Sequence, residues 1–170
     1  MVELVPLEKK YLDMVTKWNY DVAINFYFSK RPPLSQAQQE QWLEKTLSDN
    51  SKKKYIIIHQ LNKKPIGMVS LMKIDLAART AEFGITIGEK NYWGTGVAEA
   101  ASKMLFHYAF QIVKLTSVYL IVFEANERAI QFFTNLGFIK INKKFPNENG
   151  SSTIEMNLQL HDFIKQSETP

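Results

Sequence analysis

The chain has 170 residues, 45% of them hydrophobic, with 21 Lys and Arg against 17 Asp and Glu. That length suits one domain able to bury about 70% of the surface its unfolded chain exposes. The net charge of +4 is mild and scattered, which argues against a nucleic-acid partner, and the absence of cysteine excludes a disulfide framework, a thiolate metal site and a cysteine nucleophile. No apolar run approaches membrane-spanning length, and Glu3, Glu8, Lys9 and Lys10 stand where a leader would be apolar. A cytoplasmic protein with no membrane association is expected.

Val2 to Leu7 reads as a first strand that stops near Pro6, and Tyr11, Leu12, Met14, Val15 and Trp18 then share one helical face. An aromatic, irregular stretch from Ile24 to Arg31 is closed by Pro32-Pro33. Ser35 with Gln38 three residues later is a capping box, opening a helix with Trp42, Leu43 and Leu47 on its apolar side. Lys52-Lys53-Lys54, the one basic run, reads as a solvated loop leading into a strand. Tyr55 to Gln60 and Ile66 to Asp75 flank the turn Asn62-Lys63-Lys64-Pro65 as a hairpin.

The run Ala81 to Gly88 alternates as a strand, Gly94-Thr95-Gly96 makes a turn, and Val97, Ala101, Met104, Leu105, Tyr108 and Ile112 recur at helical spacing. Glycines permit positive φ and close approach of a ligand, and a helix start offers unpaired N–H groups and a positive dipole end to a phosphate. The turn is neither a Rossmann fingerprint, since Glu99 stands at the third glycine, nor a Walker loop, which needs a Gly-Lys-Ser/Thr ending. Ser117 to Phe123 is apolar throughout, as in a strand buried on both faces, and Asn126 to Asn135 is a short helix stopped by Gly137. Phe138 to Ile141 and Thr153 to Leu160 complete the strands, and residues 166–170 read as a frayed tail on a single domain of residues 1–165. His59, His107 and His161 lie on separate elements, so neither a metal centre nor a Ser-His-Asp triad is indicated.

Two segments together resemble the GNAT superfamily of acetyl-CoA-dependent N-acetyltransferases. One is the pyrophosphate loop Asn91-Tyr92-Trp93-Gly94-Thr95-Gly96, with Asn91 where that family has Gln or Arg. The other is Asn126-Glu127-Arg128-Ala129 continuing to Phe133 and Gly137-Phe138, with Phe133 where the family has tyrosine. Trp18-Asn19, the Ser35 helix and the Tyr92-Trp93-Gly94 loop are most similar to the Rim-type (ribosomal-protein) and spermidine acetyltransferase branches. The fold this implies is α/β (α+β), with a central mixed, mostly antiparallel, splayed sheet of about six to seven strands flanked by about four helices.

The resemblance also implies acetyl-CoA as cosubstrate, with no metal. Its pyrophosphate would lie on Asn91, Tyr92, Trp93, Gly94, Thr95, Gly96, Val97 and Ala98, and its pantetheine arm would pair with the backbone of Gly84, Ile85, Thr86 and Ile87. Asn126 and Phe133 would adjoin that arm, and Asn126 also has the residue type of a helix N-cap. Glu82, a carboxylate in an otherwise apolar strand, is the expected general base for direct attack of a primary amine in a ternary complex; an ordinary Glu paired with Arg79 is the alternative. Phe133 cannot donate a proton to the departing thiolate. The acceptor site would include Phe28, Lys30 and Arg31, whose positive charge favours a protein amino terminus or a small anionic amine over a polyamine. The leading expectation is therefore a Rim-type enzyme, the alternatives being a polyamine acetyltransferase or a non-catalytic coenzyme A-binding homologue. The partner expected is an amine, with a homodimer compatible and neither nucleic acid nor membrane implied.

Overall fold

The computed structural model describes residues 1–26, 34–147 and 150–168. Over these the order is β1 (Val2–Pro6), α1 (Leu12–Tyr20), α2 (Gln36–Ser48), β2 (Lys53–His59), β3 (Lys64–Asp75), β4 (Thr80–Ile87), α3 (Val97–His107), β5 (Ser117–Phe123), α4 (Glu127–Asn135), β6 (Ile139–Pro146), β7 (Ser152–Gln159) and α5 (Leu160–Glu168). The strands are hydrogen-bonded in the order β1-β2-β3-β4-β5-β7-β6, and their pairing is mixed and mostly antiparallel, as expected. No helix among the described residues is long and apolar enough to cross a membrane. The chain forms two compact units, Met1–Met72 with Gly84–His107 and Lys73–Phe83 with Tyr108–Pro170, so β4 passes from the second unit to the first after Phe83.

In the first unit, α1 lays Leu12, Val15 and Trp18 on Leu43 of α2 and Ile56 and Ile58 of β2, which together form an apolar cluster. Each fully buried aliphatic side chain of this kind contributes about 1.5–3 kcal/mol. The α2 start is the capping box expected from the sequence. The Gln38 N–H donates to Ser35 Oγ at 3.3 Å, and the Ser35 N–H donates to Gln38 Oε1 at 2.8 Å. Lys54 corrects the solvated-loop reading, because it lies within β2 with its ammonium 5.7 Å from the Trp42 ring centroid and 3.9 Å from Met72 Sδ. Burial there pushes its pKa down, helped by the charge of Lys52.

In the second unit, β5 runs parallel to the start of β4 and antiparallel to β7, which pairs in turn with β6. Val118, Leu120, Met156 and Leu158 form its buried side. β5 is not buried on both faces, which corrects the sequence reading: Tyr119 is half-buried and Ile121 is 41% exposed. Two further features depart from expectation. The long helix after the glycine turn ends at His107, and Tyr108–Ile112 form a π-helical turn closed by the Val113 N–H on the Tyr108 carbonyl at 3.0 Å. The last strand ends at Gln159, and Leu160 opens α5, whose Phe163 is buried and packs against Phe110 at a tilt of 43° with centroids 5.4 Å apart.

Candidate active site

The glycine turn is built from the floor upward. Trp18 lies so close to Gly88 that a Cβ there would stand 2.2 Å from its ring. The Trp18 indole N–H donates to Glu89 at 3.3 Å, and Lys64 pairs with the same carboxylate and holds its pKa below the usual range. The Gly88 N–H and Glu89 N–H both donate to the Ile66 carbonyl, at 2.9 and 3.1 Å. Above this floor, Trp93 Nε1 donates to the Ile87 carbonyl at 2.8 Å, tying the loop to the end of β4. Asn62 donates to the Tyr92 hydroxyl at 2.8 Å, and Thr95 Oγ1 closes the turn on the Tyr92 carbonyl at 2.7 Å.

Gly94 and Gly96 have φ of +76° and +85°, values that L side chains adopt at a cost of about 1–2 kcal/mol. A Cβ at either would meet nothing within 4 Å among the described residues, so what requires glycine here is the backbone conformation. The Gly96 carbonyl accepts the first α3 hydrogen bond, from the Ala100 N–H at 3.0 Å. The N–H groups of Val97, Ala98 and Glu99 therefore have no acceptor among the described residues. Glu99 adds a negative charge in that first turn, offset by Lys103 at 2.7 Å. Open glycines beside free N–H groups at a positive dipole end fit a pyrophosphate. Residues 84–87 are the part of β4 beyond its register with β5, which covers only Thr80 to Glu82.

In the second unit, Glu82, Tyr119, Asn157 and Ile139 are register partners in succession across β4, β5, β7 and β6, so they form one row on one face. The Glu82 side chain is only 17% exposed, and its Oε2 is buried. Lys73, 71% exposed, brings its ammonium to 2.7 Å from that oxygen as its ion-pair partner. The carboxylate raises the Lys73 pKa. Arg79, the partner considered from the sequence, instead turns its Nε to the Lys114 carbonyl at 2.7 Å. Lys73 itself has φ of +49° within β3, a left-handed conformation costing a non-glycine residue about 1–2 kcal/mol. The Tyr119 hydroxyl is held neutral, its pKa raised by burial and then by the Glu82 charge. No local pattern in the sequence marks Lys73 as the partner of Glu82; for Tyr119 the signal is its place with Ile121 on alternate positions of β5.

Asn126 caps α4, its Oδ1 accepting the Ala129 N–H at 3.2 Å. The helix ends in a Schellman motif: Phe138 N–H to the Phe133 carbonyl at 3.0 Å, Gly137 N–H to that of Thr134 at 2.9 Å, with Gly137 at φ of +93°. Phe133 packs in an aromatic group, its centroid 6.3 Å from Phe83, 5.8 Å from Phe138 and 5.2 Å from Phe132. Phe83 follows Glu82 in β4 and points to the opposite face, so Phe133 does not share the Glu82 row. The acceptor residues Phe28, Lys30 and Arg31 lie outside the described residues.

A family profile for the acetyltransferase (GNAT) domain matches residues 2–139. The chain belongs to the GNAT acetyltransferase family. Spermidine N(1)-acetyltransferase of Escherichia coli is 28% identical over 173 aligned positions, covering 99% of this chain and 91% of that protein. A putative ribosomal N-acetyltransferase of Bacillus subtilis is 34% identical over 77 positions, 45% of this chain and 42% of its own. Among solved structures, the spermidine N-acetyltransferase of Vibrio cholerae in complex with CoA and spermine superposes with a TM-score of 0.85 at 25% identity, covering 96% of this chain and 98% of that one. This GNAT protein is an N-acetyltransferase with acetyl-CoA as cosubstrate.

Proposed function

We propose that this acetyltransferase acts on an alkylamine of the polyamine type, with Glu82 as the base that deprotonates it. The observation that carries the reading is the Glu82 carboxylate, buried at Oε2 and already facing a primary ammonium at 2.7 Å. An alkylamine with a pKa of about 10.4 is almost wholly charged at neutral pH, so it needs both a carboxylate to seat it and a base to free its lone pair. A peptide amino terminus, near 8, needs the base far less. The two spermidine N-acetyltransferases above match nearly the whole chain, whereas the ribosomal relative matches less than half of it. This reading promotes the polyamine alternative over the Rim-type expectation.

When bound, acetyl-CoA supplies the acyl thioester. The N–H groups of Val97, Ala98 and Glu99 would hold its pyrophosphate, with residues 91–96 around it and the backbone of Gly84, Ile85, Thr86 and Ile87 along its arm. Glu82 would accept the ammonium proton, directly or through a water; the freed amine nitrogen would bond to the acyl carbon as the C–S bond breaks, the sulfur leaving as thiolate and the second nitrogen proton passing to solvent as the amide forms. A thiol pKa of about 8.5 lets that departure proceed without an acid at the Phe133 position. A cytoplasmic setting, consistent with a cysteine-free chain, belongs to the same reading.

The test is thiol release from acetyl-CoA with a panel of spermidine, 1,4-diaminobutane and an alanyl peptide, using wild type and Glu82→Gln. Spermidine should give the highest kcat/KM, and Glu82→Gln should lower the rate by roughly a hundredfold at pH 7. Raising the pH should restore much of that loss, because more amine arrives neutral. A tenfold preference for the peptide would overturn the acceptor class; pH–rate curves that run parallel, or full activity in the variant, would remove Glu82 as the base.

A further inference from the structure

Lys73 carries a primary ammonium on four methylenes, which is the chemistry of an aminobutyl arm. Its Nζ stands 2.7 Å from the buried Oε2 of Glu82. We propose that Lys73 occupies, within its own chain, the seat on Glu82 that the acceptor ammonium takes, so that acceptor binding exchanges one ammonium for another. The inference rests on Glu82 being the acceptor carboxylate and adds the residue that competes for it.

Three observations support the exchange. Lys73 is the partner that the buried Oε2 has among the described residues, so a vacated seat would leave a carboxylate oxygen uncompensated and a second cation must replace the first. The Lys73 side chain is 71% exposed, so its arm is not packed in place and can swing into solvent. Its left-handed backbone, at φ of +49°, sits inside a strand, and conformations of that kind gather at functional positions. Charge is matched locally as well. Tyr119 is the register partner of Glu82 across the sheet row, and the charges of Glu82 and Lys73 both act on its hydroxyl, so a neutral phenol stands beside the seat. Tyr119 offers a hydroxyl beside the exchanged ammonium.

Two measurements test this. In steady-state kinetics with spermidine, Lys73→Met should lower KM by about three- to fivefold, the size expected for loss of an exposed competing ion pair. The effect should fall on KM rather than kcat, Lys73→Arg should keep the wild-type KM, and Lys73→Met in a Glu82→Gln background should produce no fall. The second measurement does not depend on turnover. Trace labelling with acetic anhydride, read by mass spectrometry, should modify Lys73 about threefold more, relative to the other lysines, when 1,4-diaminobutane is present to displace it. A KM that is unchanged or higher in Lys73→Met, or a labelling ratio that ignores the diamine, overturns the exchange. A failure of the base reading looks different: Glu82→Gln then keeps its activity, whichever way Lys73 behaves.

Discussion

Phe133 shows how a residue can depart from a family pattern without removing the chemistry. Its ring is one member of an aromatic group with Phe83, Phe132 and Phe138, and it lies on the opposite side of β4 from Glu82. We expect Phe133→Tyr to leave turnover within about twofold, because a thiolate of pKa about 8.5 departs readily at neutral pH. An acceleration of tenfold in stopped-flow or steady-state assays would mean that thiolate departure limits the wild type. Glu82 was legible as a lone carboxylate in an apolar strand, but its partner was not. Lys73 is nine residues away in sequence, and it reaches the carboxylate through a left-handed backbone that no residue preference announces. Gly88 is similar. The sequence gives no reason for it, yet a Cβ there would collide with Trp18 at 2.2 Å. Gly88→Ala should therefore destabilise the protein by about 1–3 kcal/mol in urea unfolding. Trp18→Leu should make the two changes non-additive, since the shortened side chain vacates the space the methyl needs. Full additivity would place the effect of Gly88 elsewhere.

Elements specified by local contacts are legible in the sequence. The α2 capping box and the ends of α4 rest on contacts within a few residues, so Ser35, Gln38, Asn126 and Gly137 could be placed from sequence alone. Elements whose character depends on distant packing are not. Ile121 looks like a core residue and is 41% exposed, because β5 has one face on the Glu82 row and the other against the core. The π-helical turn of Tyr108–Ile112 and helix α5 also escaped, the latter because Leu160 continues the alternation of Ile154, Met156 and Leu158. Asn126 gives this scale its own test, since capping and coenzyme contact make different demands on one side chain. Asn126→Ser retains a capping oxygen, so stability should stay within about 0.5 kcal/mol, whereas Asn126→Ala should lose about 1 kcal/mol. KM for acetyl-CoA should rise in both if the amide also contacts the pantetheine arm. A rise confined to the alanine variant would reduce Asn126 to a cap.

At the scale of the whole molecule, coenzyme binding should be visible as stability. A ligand at a hundredfold excess over Kd adds about 2.7 kcal/mol, which for a chain of this length raises Tm by roughly 5–11 °C. Gly96→Glu should abolish the shift, because bulk and negative charge would fill the space beside the α3 start. That variant also forces a side chain onto a backbone with φ of +85°, so loss of binding must be separated from loss of folding. Gly96→Asn provides the separation. Asparagine tolerates left-handed backbone better than other L residues, and its Cβ would meet nothing within 4 Å among the described residues, so the apoprotein should melt close to wild type. Its side chain would nevertheless project into the space assigned to the pyrophosphate, and the acetyl-CoA shift should shrink by at least half. Gly94 has the same open surroundings at φ of +76° and should respond in the same direction. If Gly96→Asn melts like wild type and keeps the full shift, the glycines serve the turn alone and the coenzyme phosphates are held elsewhere.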